Sequence, residues 1–200
     1  MRNTGLLLTL GIGLLCLGSA NAGVILDSAI WDVNGHEYVL VEFDCIQTDC
    51  DASEQTWDSA VADLDSTLGD GFRLASITSA EENDFIRALI DGFGWDVWAG
   101  AFQDPIDEPV ADANWVWVTD EAFDFTNWCD GEPNDAGQPG FEQHMSLVGG
   151  GACWNDEGSA ISAVGGYVAE TFDAAAVSEP SPLLLSILGL FALAVARRTS

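Results

Sequence analysis

The chain between Asn127 and Asp156 reads N-W-C-D-G-E-P-N-D-A-G-Q-P-G-F-E-Q-H-M-S-L-V-G-G-G-A-C-W-N-D. This stretch gathers carboxylates, side-chain amides, glycines, prolines and two cysteines. Because glycine and proline interrupt it so often, we predict neither a long helix nor a clean strand. A loop of this length inside a compact chain is usually functional or disordered. Its tryptophans and paired cysteines argue against disorder, so we expect a functional loop.

The loop offers five candidate ligands that bind through oxygen, with no cluster of His and Cys beside them. They are Glu132, Asn134, Glu142, Asn155 and Asp156. Carboxylate and amide oxygens in a flexible loop suit Ca²⁺ better than zinc or copper. Each amide can also donate N–H bonds while the carboxylates accept them. An ion ringed by such groups suits the vicinal hydroxyls of a sugar.

Two short motifs, Glu132-Pro133-Asn134 and Trp154-Asn155-Asp156, resemble the calcium-site signature of C-type lectin domains. Other pieces match in that family's order between roughly Asn34 and Thr171: Thr56-Trp57, Leu74-Ala75-Ser76-Ile77, Glu82-Asn83-Asp84-Phe85-Ile86, Trp98-Ala99-Gly100, Trp115-Val116-Trp117 and Asn127-Trp128. The resemblance implies an α+β, C-type lectin-like fold, with two helices packed on short antiparallel strands beside a long calcium-binding loop. It implies that the five candidates bind both Ca²⁺ and a mannose-type sugar, and that Pro133 is a cis-proline.

Some positions depart from the family pattern. Four residues stand near the positions of the family's core cysteines: Leu64, His144, Ser159 and Ala169. We expect Leu64 to pack in the core and His144 to be an interior strand residue rather than a ligand. The segment between Asn134 and Glu142 is longer than is common in the family. Asp104, Asp112 and Asp135 stand where related domains place extra calcium ligands, although exposed acids are the plainer interpretation.

The charge balance excludes one class of partner. All 33 acidic residues lie between Asp27 and Glu179, where only Arg73 and Arg87 oppose them. Phosphate contacts require basic residues, so nucleic acid is not expected as a partner. The plain interpretation of the remaining acids is a solvated acidic surface.

The two ends of the chain read as targeting segments. Arg2, the apolar run Leu6 to Leu17 and the pattern Ala20-Asn21-Ala22 predict a signal peptide over residues 1–22, with Gly23 as the mature start. Residues 23–172 then form the lectin-like domain and residues 173–178 a linker. Residues 179–200 resemble the PEP-CTERM sorting tail of exported proteins of Gram-negative bacteria. The resemblance implies transient inner-membrane anchoring through this tail, with a plain C-terminal anchor as the alternative.

Four cysteines remain in the predicted mature chain: Cys45, Cys50, Cys129 and Cys153. An even number in an exported protein predicts two disulfides. Three pairings are possible, and we favour Cys45–Cys50 as a local ring and Cys129–Cys153 as a link between the arms of the loop. Free thiols are the alternative.

The rest of the chain predicts short elements in alternation. Helical spacing of apolar residues predicts helices over Trp57–Leu68 and Ser79–Asp91, the second opened by a capping box from Ser79 to Glu82. Strands are predicted in five further places: within Val24–Phe43, and over Arg73–Ile77, Trp115–Thr119, Glu142–Val148 and Gly165–Phe172. Six tryptophans are expected to be core residues: Trp57, Trp98, Trp115, Trp117, Trp128 and Trp154.

These observations predict an exported, calcium-dependent carbohydrate-binding domain at a bacterial cell surface or in its exopolysaccharide matrix, with a glycan as its partner. The alternative is a lectin-like structural or protein-interaction module that binds no sugar. We do not expect an enzyme, because the interleaved amides suit ligation better than proton transfer. No Ser-His-Asp or Cys-His order stands out either.

Overall fold

Two helices and a mixed sheet make up the described part of the computed structural model, which covers residues 22–47, 54–137, 139–149, 153–158 and 164–172. The helices are α1 (Trp57–Thr67) and α2 (Ala80–Leu89), and a short 3-10 turn spans Asp44–Gln47. The strands are β1 (Val24–Ile30), β2 (Glu37–Glu42), β3 (Phe72–Leu74), β4 (Asp96–Gln103), β5 (Trp115–Trp117), β6 (His144–Leu147), β7 (Trp154–Glu157) and β8 (Val164–Thr171).

The sheet runs in the order β1-β2-β8-β4-β6-β7, while β3 also pairs with β8 and β5 with β4. The expected α+β architecture is confirmed. One detail differs, because β4 and β8 pair in parallel while the other described pairs are antiparallel. The last strand of the described residues, β8, returns to the middle of the sheet and lies between β2 and β4.

Both helices begin at polar caps that the sequence provides. The Thr56 hydroxyl accepts a hydrogen bond from the Ser59 N–H at 2.9 Å, and the Ser79 hydroxyl accepts one from the Glu82 N–H at 3.2 Å. The predicted capping box is only half formed. The Glu82 carboxylate accepts from the Thr78 N–H at 2.7 Å instead of from Ser79, because it also accepts from the Tyr38 hydroxyl in the core.

The core lies on both faces of the sheet, and β4 contributes to each because its side chains alternate. Val97 and Ala99 pack in the cluster that includes α2, and Trp98 packs in the cluster that includes α1. Leu64 and Ala169 share the second cluster. Both positions therefore hold buried apolar residues, as was expected for Leu64. The expected core tryptophans are buried except Trp128, which is partly buried: Trp57, Trp98, Trp115, Trp117 and Trp154.

The long loop ends earlier than predicted. Trp154, Asn155 and Asp156 form most of strand β7, which pairs with β6 in register. The Trp154 side chain is fully buried and its indole N–H donates to Asn83 Oδ1 at 2.9 Å. A strand at Trp154–Glu157 was not predicted, and it forms because a buried aromatic anchor outweighs the local abundance of glycine.

Several predictions fall outside the described residues. These are the signal segment up to residue 21, Cys50, Ser159, and the linker and tail from residue 173 onward. Cys45 is disulfide-bonded. Within the described ranges, no helix is long and apolar enough to cross a membrane.

Candidate functional site

The loop is held against strand β7 by covalent and backbone contacts. A disulfide joins Cys129 to Cys153, which is the pairing favoured from the sequence. The Cys129 N–H donates to the Trp154 carbonyl at 2.9 Å, and the Trp154 N–H donates to the Asn127 carbonyl at 2.9 Å. These contacts bring the Glu132-Pro133-Asn134 motif beside β7.

Asp156 joins the two motifs directly. Its side chain is fully buried, and its carboxylate accepts the N–H of Asn134 at 2.9 and 3.0 Å and the N–H of Asp135 at 2.8 Å. A buried carboxylate without such donors would be costly, so these bonds hold the loop in place. The first motif is thereby fixed on the second.

Glu132 and Asn134 flank a cis peptide bond between Glu132 and Pro133. The Asn134 amide donates to the Glu132 carboxylate. Burial raises the pKa of Glu132, and the nearby carboxylates of Asp156 and Glu142 raise it further. The Asn134 side chain is exposed, so this pair forms the solvent-facing rim of the cluster.

Glu142 reaches the same cluster despite the long spacing that precedes it. Its carboxylate accepts from the Ala136 N–H, and its own N–H donates to Asp135 Oδ1 at 3.1 Å. Asp135 Oδ2 accepts from the Gly140 N–H at 3.0 Å. Burial raises the pKa of Glu142, with a smaller opposing effect of the Ala136 bond and further rises from Asp156 and Asp135. Asp135 thus ties the lengthened segment into a compact turn.

Asn155 makes a different contact from the other four candidates. Successive side chains of a strand point to opposite faces, and the Asn155 amide donates to Glu157 Oε1 at 2.7 Å. Glu157 is buried, and burial raises its pKa to about 7, with smaller contributions from Glu142, Asp96 and Asp156. The structure therefore gathers Glu132, Asn134, Glu142 and Asp156, and it directs Asn155 toward Glu157.

A cavity of about 340 Å³ lies beside the exposed rim of this cluster. It runs between the segment that follows β4 and the loop after Pro133. Its lining residues are Pro109, Ala111, Asn134, Asp135, Ala136, Gly137 and Pro139.

Comparison with known proteins identifies the architecture. No family model matches the chain. A type-2 ice-structuring protein of Osmerus mordax is 35% identical over 95 residues, which cover 46% of this chain and 48% of that protein. The chain thus spans about half the length of the curated relatives it matches.

Solved structures match more of the chain. Human lithostathine has a TM-score of 0.55 at 16% identity, over 73% of this chain and 97% of that structure. The cow C-type carbohydrate-recognition domain of CD23, solved in the presence of GlcNAc2Man3 oligosaccharide, has a TM-score of 0.50 at 27% identity, over 70% and 89%. This chain has a C-type lectin-like fold.

The donor set of this lectin-like domain matches calcium in chemistry. Every candidate donor is an oxygen, and the pKa values of Glu132 and Glu142 are raised by burial first and by the nearby Asp156 carboxylate in addition. Among the described residues, however, no three acidic, His or Cys side chains form a group that could hold a metal ion. The chemistry fits calcium, but the carboxylates are engaged by N–H donors, which an ion would have to displace.

Two acids of the lectin-like domain have roles near this cluster that sequence reasoning did not assign. The sequence suggests Asp135 only as an extra calcium ligand, and it suggests no role for Glu157. A positive φ of 51° at Asp135 marks the turn, and the Asn-Asp-Ala-Gly sequence that contains it is a turn signal. No sequence signal identifies Glu157, because its role depends on strand alternation beside Asn155. His144 is buried on β6, its pKa is lowered by burial to about 4, and its ring lies 4.8 Å from that of Trp57. This agrees with an interior residue, although Nδ1 has no hydrogen-bond partner within the described residues.

Proposed function

We propose that this lectin-like domain binds glycans through a calcium ion held by the cluster around Asp156. The ligands would be Glu132, Asn134, Glu142 and Asp156, with Asn155 joining through its amide oxygen while its amide N–H donates to Glu157. The observation that carries the proposal is the gathering of the Glu-Pro-Asn motif onto Asp156 by the two N–H bonds from Asn134 and Asp135. Hard oxygen donors of this kind are those that Ca²⁺ prefers.

Electrostatics gives the cluster a reason to take up a cation. The pKa values of Glu132 and Glu142 are raised by burial and by neighbouring negative charge. A divalent cation among these groups would reverse the sign of the local potential and favour their ionised forms. Arg73 and Arg87, the arginines of the predicted domain, lie in β3 and α2 rather than in the loop.

The same residues offer complementary contacts for a sugar. Glu132 accepts hydrogen bonds and the Asn134 amide donates them, and these two side chains form the solvent-facing rim. Neighbouring hydroxyls of a hexose both donate and accept, so a vicinal pair could satisfy both side chains at once. The Glu-Pro-Asn form resembles that of mannose-binding C-type lectins, which makes a mannose-type glycan our proposed ligand.

Calcium titration of the purified exported protein tests the first step. We expect a saturable site in wild type that is lost in Glu132→Gln, while Asp130→Asn, an exposed acid of the same loop, keeps it. The chain carries 33 acids, so the titration is run in excess Mg²⁺ and moderate salt to suppress diffuse binding. Equal calcium binding by wild type and Glu132→Gln would exclude this site.

Glycan binding tests the second step. Mannose-type and galactose-type glycans are presented with calcium and then with a chelator. We expect mannose-type binding that requires calcium and is lost in Asn134→Ala. Binding that survives the chelator, or no glycan binding by a calcium-loaded protein, contradicts the proposal.

We further propose that the domain is exported and acts at a bacterial cell surface or in its exopolysaccharide matrix. The predicted signal segment 1–22 and the sorting-like tail 179–200 support this location. Cell fractionation with an antibody against the domain would test it, and recovery in the cytoplasm would contradict it.

A second function is favoured by one specific observation. The loop is already satisfied without an ion, because backbone N–H groups and the Asn134 amide engage its carboxylates. A module that docks on a protein or another surface would need no calcium. The similarity to an ice-structuring protein makes an ice-recrystallisation assay, with and without a chelator, a direct check of one such surface.

A further inference from the structure

The nitrogen of Gly23 lies in a pocket of acceptors that the glycan site does not explain. It is 3.2 and 3.1 Å from the two carboxylate oxygens of Asp63 and 2.7 Å from Thr67 Oγ1. A peptide nitrogen has a single hydrogen, which these three acceptors would have to share. An α-ammonium has three hydrogens and a positive charge. We propose that a signal peptidase hydrolyses the Ala22–Gly23 peptide bond, so that water leaves Ala22 as a carboxylate and Gly23 with an α-ammonium, and that this ammonium docks on Asp63 as an ion pair.

The surroundings of Asp63 provide neutral donors but no basic side chain. Its carboxylate accepts from the hydroxyls of Ser66 at 2.9 Å, Thr67 at 2.8 Å and Tyr167 at 2.8 Å. The side-chain ion pairs within the described residues are His36–Glu170 and Arg87–Asp84, and neither involves Asp63. An ammonium at Gly23 would supply the missing positive charge.

The titratable groups that face this nitrogen come from three elements. Asp63 lies on α1, Tyr167 on β8, and Glu42 on β2, where it pairs with Val24. Burial and the hydrogen bond to Asp63 raise the pKa of Tyr167 far above its usual range, so its hydroxyl remains a donor. The ammonium would therefore be the one cation among groups that are acidic or neutral.

The pocket accommodates glycine closely, and a side chain at this position would force its neighbours to shift. A Cβ added to Gly23 would lie 2.5 Å from Asp63 Oδ2, 2.5 Å from Val41 Cγ1 and 3.2 Å from the Glu42 carbonyl. Strand β1 begins at the next residue and is paired with β2, which fixes where the nitrogen lies. The predicted cleavage position and the acceptor pocket thus coincide on the same atom.

The composition makes this ammonium accessible to a clean measurement. The five basic residues of the chain are all arginine, so the α-amine is its one primary amine. Stable amide formation with an acylating reagent therefore reports this group. Only the neutral amine reacts with such a reagent, and the ordinary pKa of an α-ammonium is about 7.7–8.0.

The experiment uses the full chain expressed in an exporting bacterium. The purified protein is sequenced from its N-terminus, and its acetylation rate is followed against pH, both folded and unfolded in urea. We expect Gly23 as the first residue and, below the ordinary pKa, roughly tenfold slower acetylation when folded, because a nearby carboxylate raises the pKa of an ammonium by about one unit or more. A different first residue, or equal apparent pKa values folded and unfolded, overturns the proposal.

Two variants separate charge from mere shielding. Asp63→Asn keeps the shape of the pocket and removes its charge, so we expect the pH profile to move toward that of the unfolded chain. Asp65→Asn, an exposed acid of the same helix, should leave the profile unchanged. Shielding alone would lower the limiting rate at high pH without moving the midpoint, and that result would also overturn the ion pair. The comparison of folded with unfolded wild-type protein tests the proposal even if a variant fails to fold.

Discussion

Two groups of hydrogen-bonded carboxylates lie in this domain. They differ in the part of the backbone from which their hydrogen-bond donors come. Glu82 on α2 accepts from the Tyr38 hydroxyl and from the N–H and hydroxyl of Thr78. Glu170 on β8 accepts from the Ser76 N–H at 2.7 Å, with His36 Nδ1 3.0 Å from its other oxygen. We call these two acids and their partners the inner cluster.

The loop cluster, which consists of Glu132, Asn134, Asp135, Glu142 and Asp156, is satisfied differently. Its donors are mostly N–H groups of the loop itself. An inner-cluster acid cannot change partners without disturbing a helix or a strand, whereas a loop carboxylate needs only a local loop rearrangement. Burial of an acid therefore does not by itself mark a ligand site. A ligand site also needs donors that can be exchanged.

The largest expected effect is on the inner cluster. Glu82→Ala leaves the Tyr38 hydroxyl and the Thr78 N–H without their acceptor in the core, so we expect a loss of about 3–4 kcal/mol in the free energy of unfolding. Urea denaturation measures it. Glu81→Ala, the exposed neighbour on the same helix, should change stability by less than about 0.5 kcal/mol. Similar losses of unfolding free energy in both variants would contradict a structural role of the inner cluster.

The second prediction concerns pH. Burial raises the pKa of Glu170 from 4.5 to about 7, so the folded state binds more protons than the unfolded state in this interval. Stability from this group is therefore present at low pH and falls as pH rises from 4.5 to 7, by about 3 kcal/mol in total. Glu170→Gln should remove this decline in urea denaturation curves collected across the interval. An unchanged pH slope in Glu170→Gln, relative to Glu81→Gln, would contradict the assignment.

The third prediction probes the loop cluster without calcium. Asp156→Ala removes the acceptor of the Asn134 and Asp135 N–H groups, and we expect a loss of about 2 kcal/mol, smaller than for Glu82→Ala because the loop can turn to water. Addition of calcium should stabilise wild type and leave this variant unchanged. A calcium response in Asp156→Ala equal to that of Asp130→Ala would show that calcium acts elsewhere.

The sequence predicted the parts of this fold that depend on local pattern. The helices α1 and α2 follow from apolar spacing, and α2 also from its cap at Ser79. Their observed ends lie within two residues of the predicted ones, as is usual. The gathering of Glu132 with Asp156 was anticipated through the resemblance of the two motifs. Such elements can be predicted from neighbouring residues or from a known motif.

Other features depend on contacts between distant residues and could not be read. Strand β7 forms in a glycine-rich stretch because Trp154 is buried and bonded to Asn83, far away in the chain. The Asn155–Glu157 contact follows from the alternation of that same strand. The parallel pairing of β4 with β8 is a matter of topology. Each of these is decided by tertiary packing and not by composition.

The last prediction separates the two clusters by proton competition. Burial and neighbouring charge raise the pKa values of Glu132 and Glu142, and both must lose their protons to bind calcium. Calcium affinity should therefore fall as pH decreases, by about tenfold, or ~1.4 kcal/mol, per pH unit for each group once pH is below its pKa. Calorimetric titrations at decreasing pH measure this slope. Glu132→Asp, which keeps an ionisable ligand, controls for a general weakening of the calcium site. Glu170→Gln should leave the slope unchanged, because the inner cluster takes no part in binding. A slope that depends on Glu170 and not on the loop acids would reverse the assignment of the two clusters.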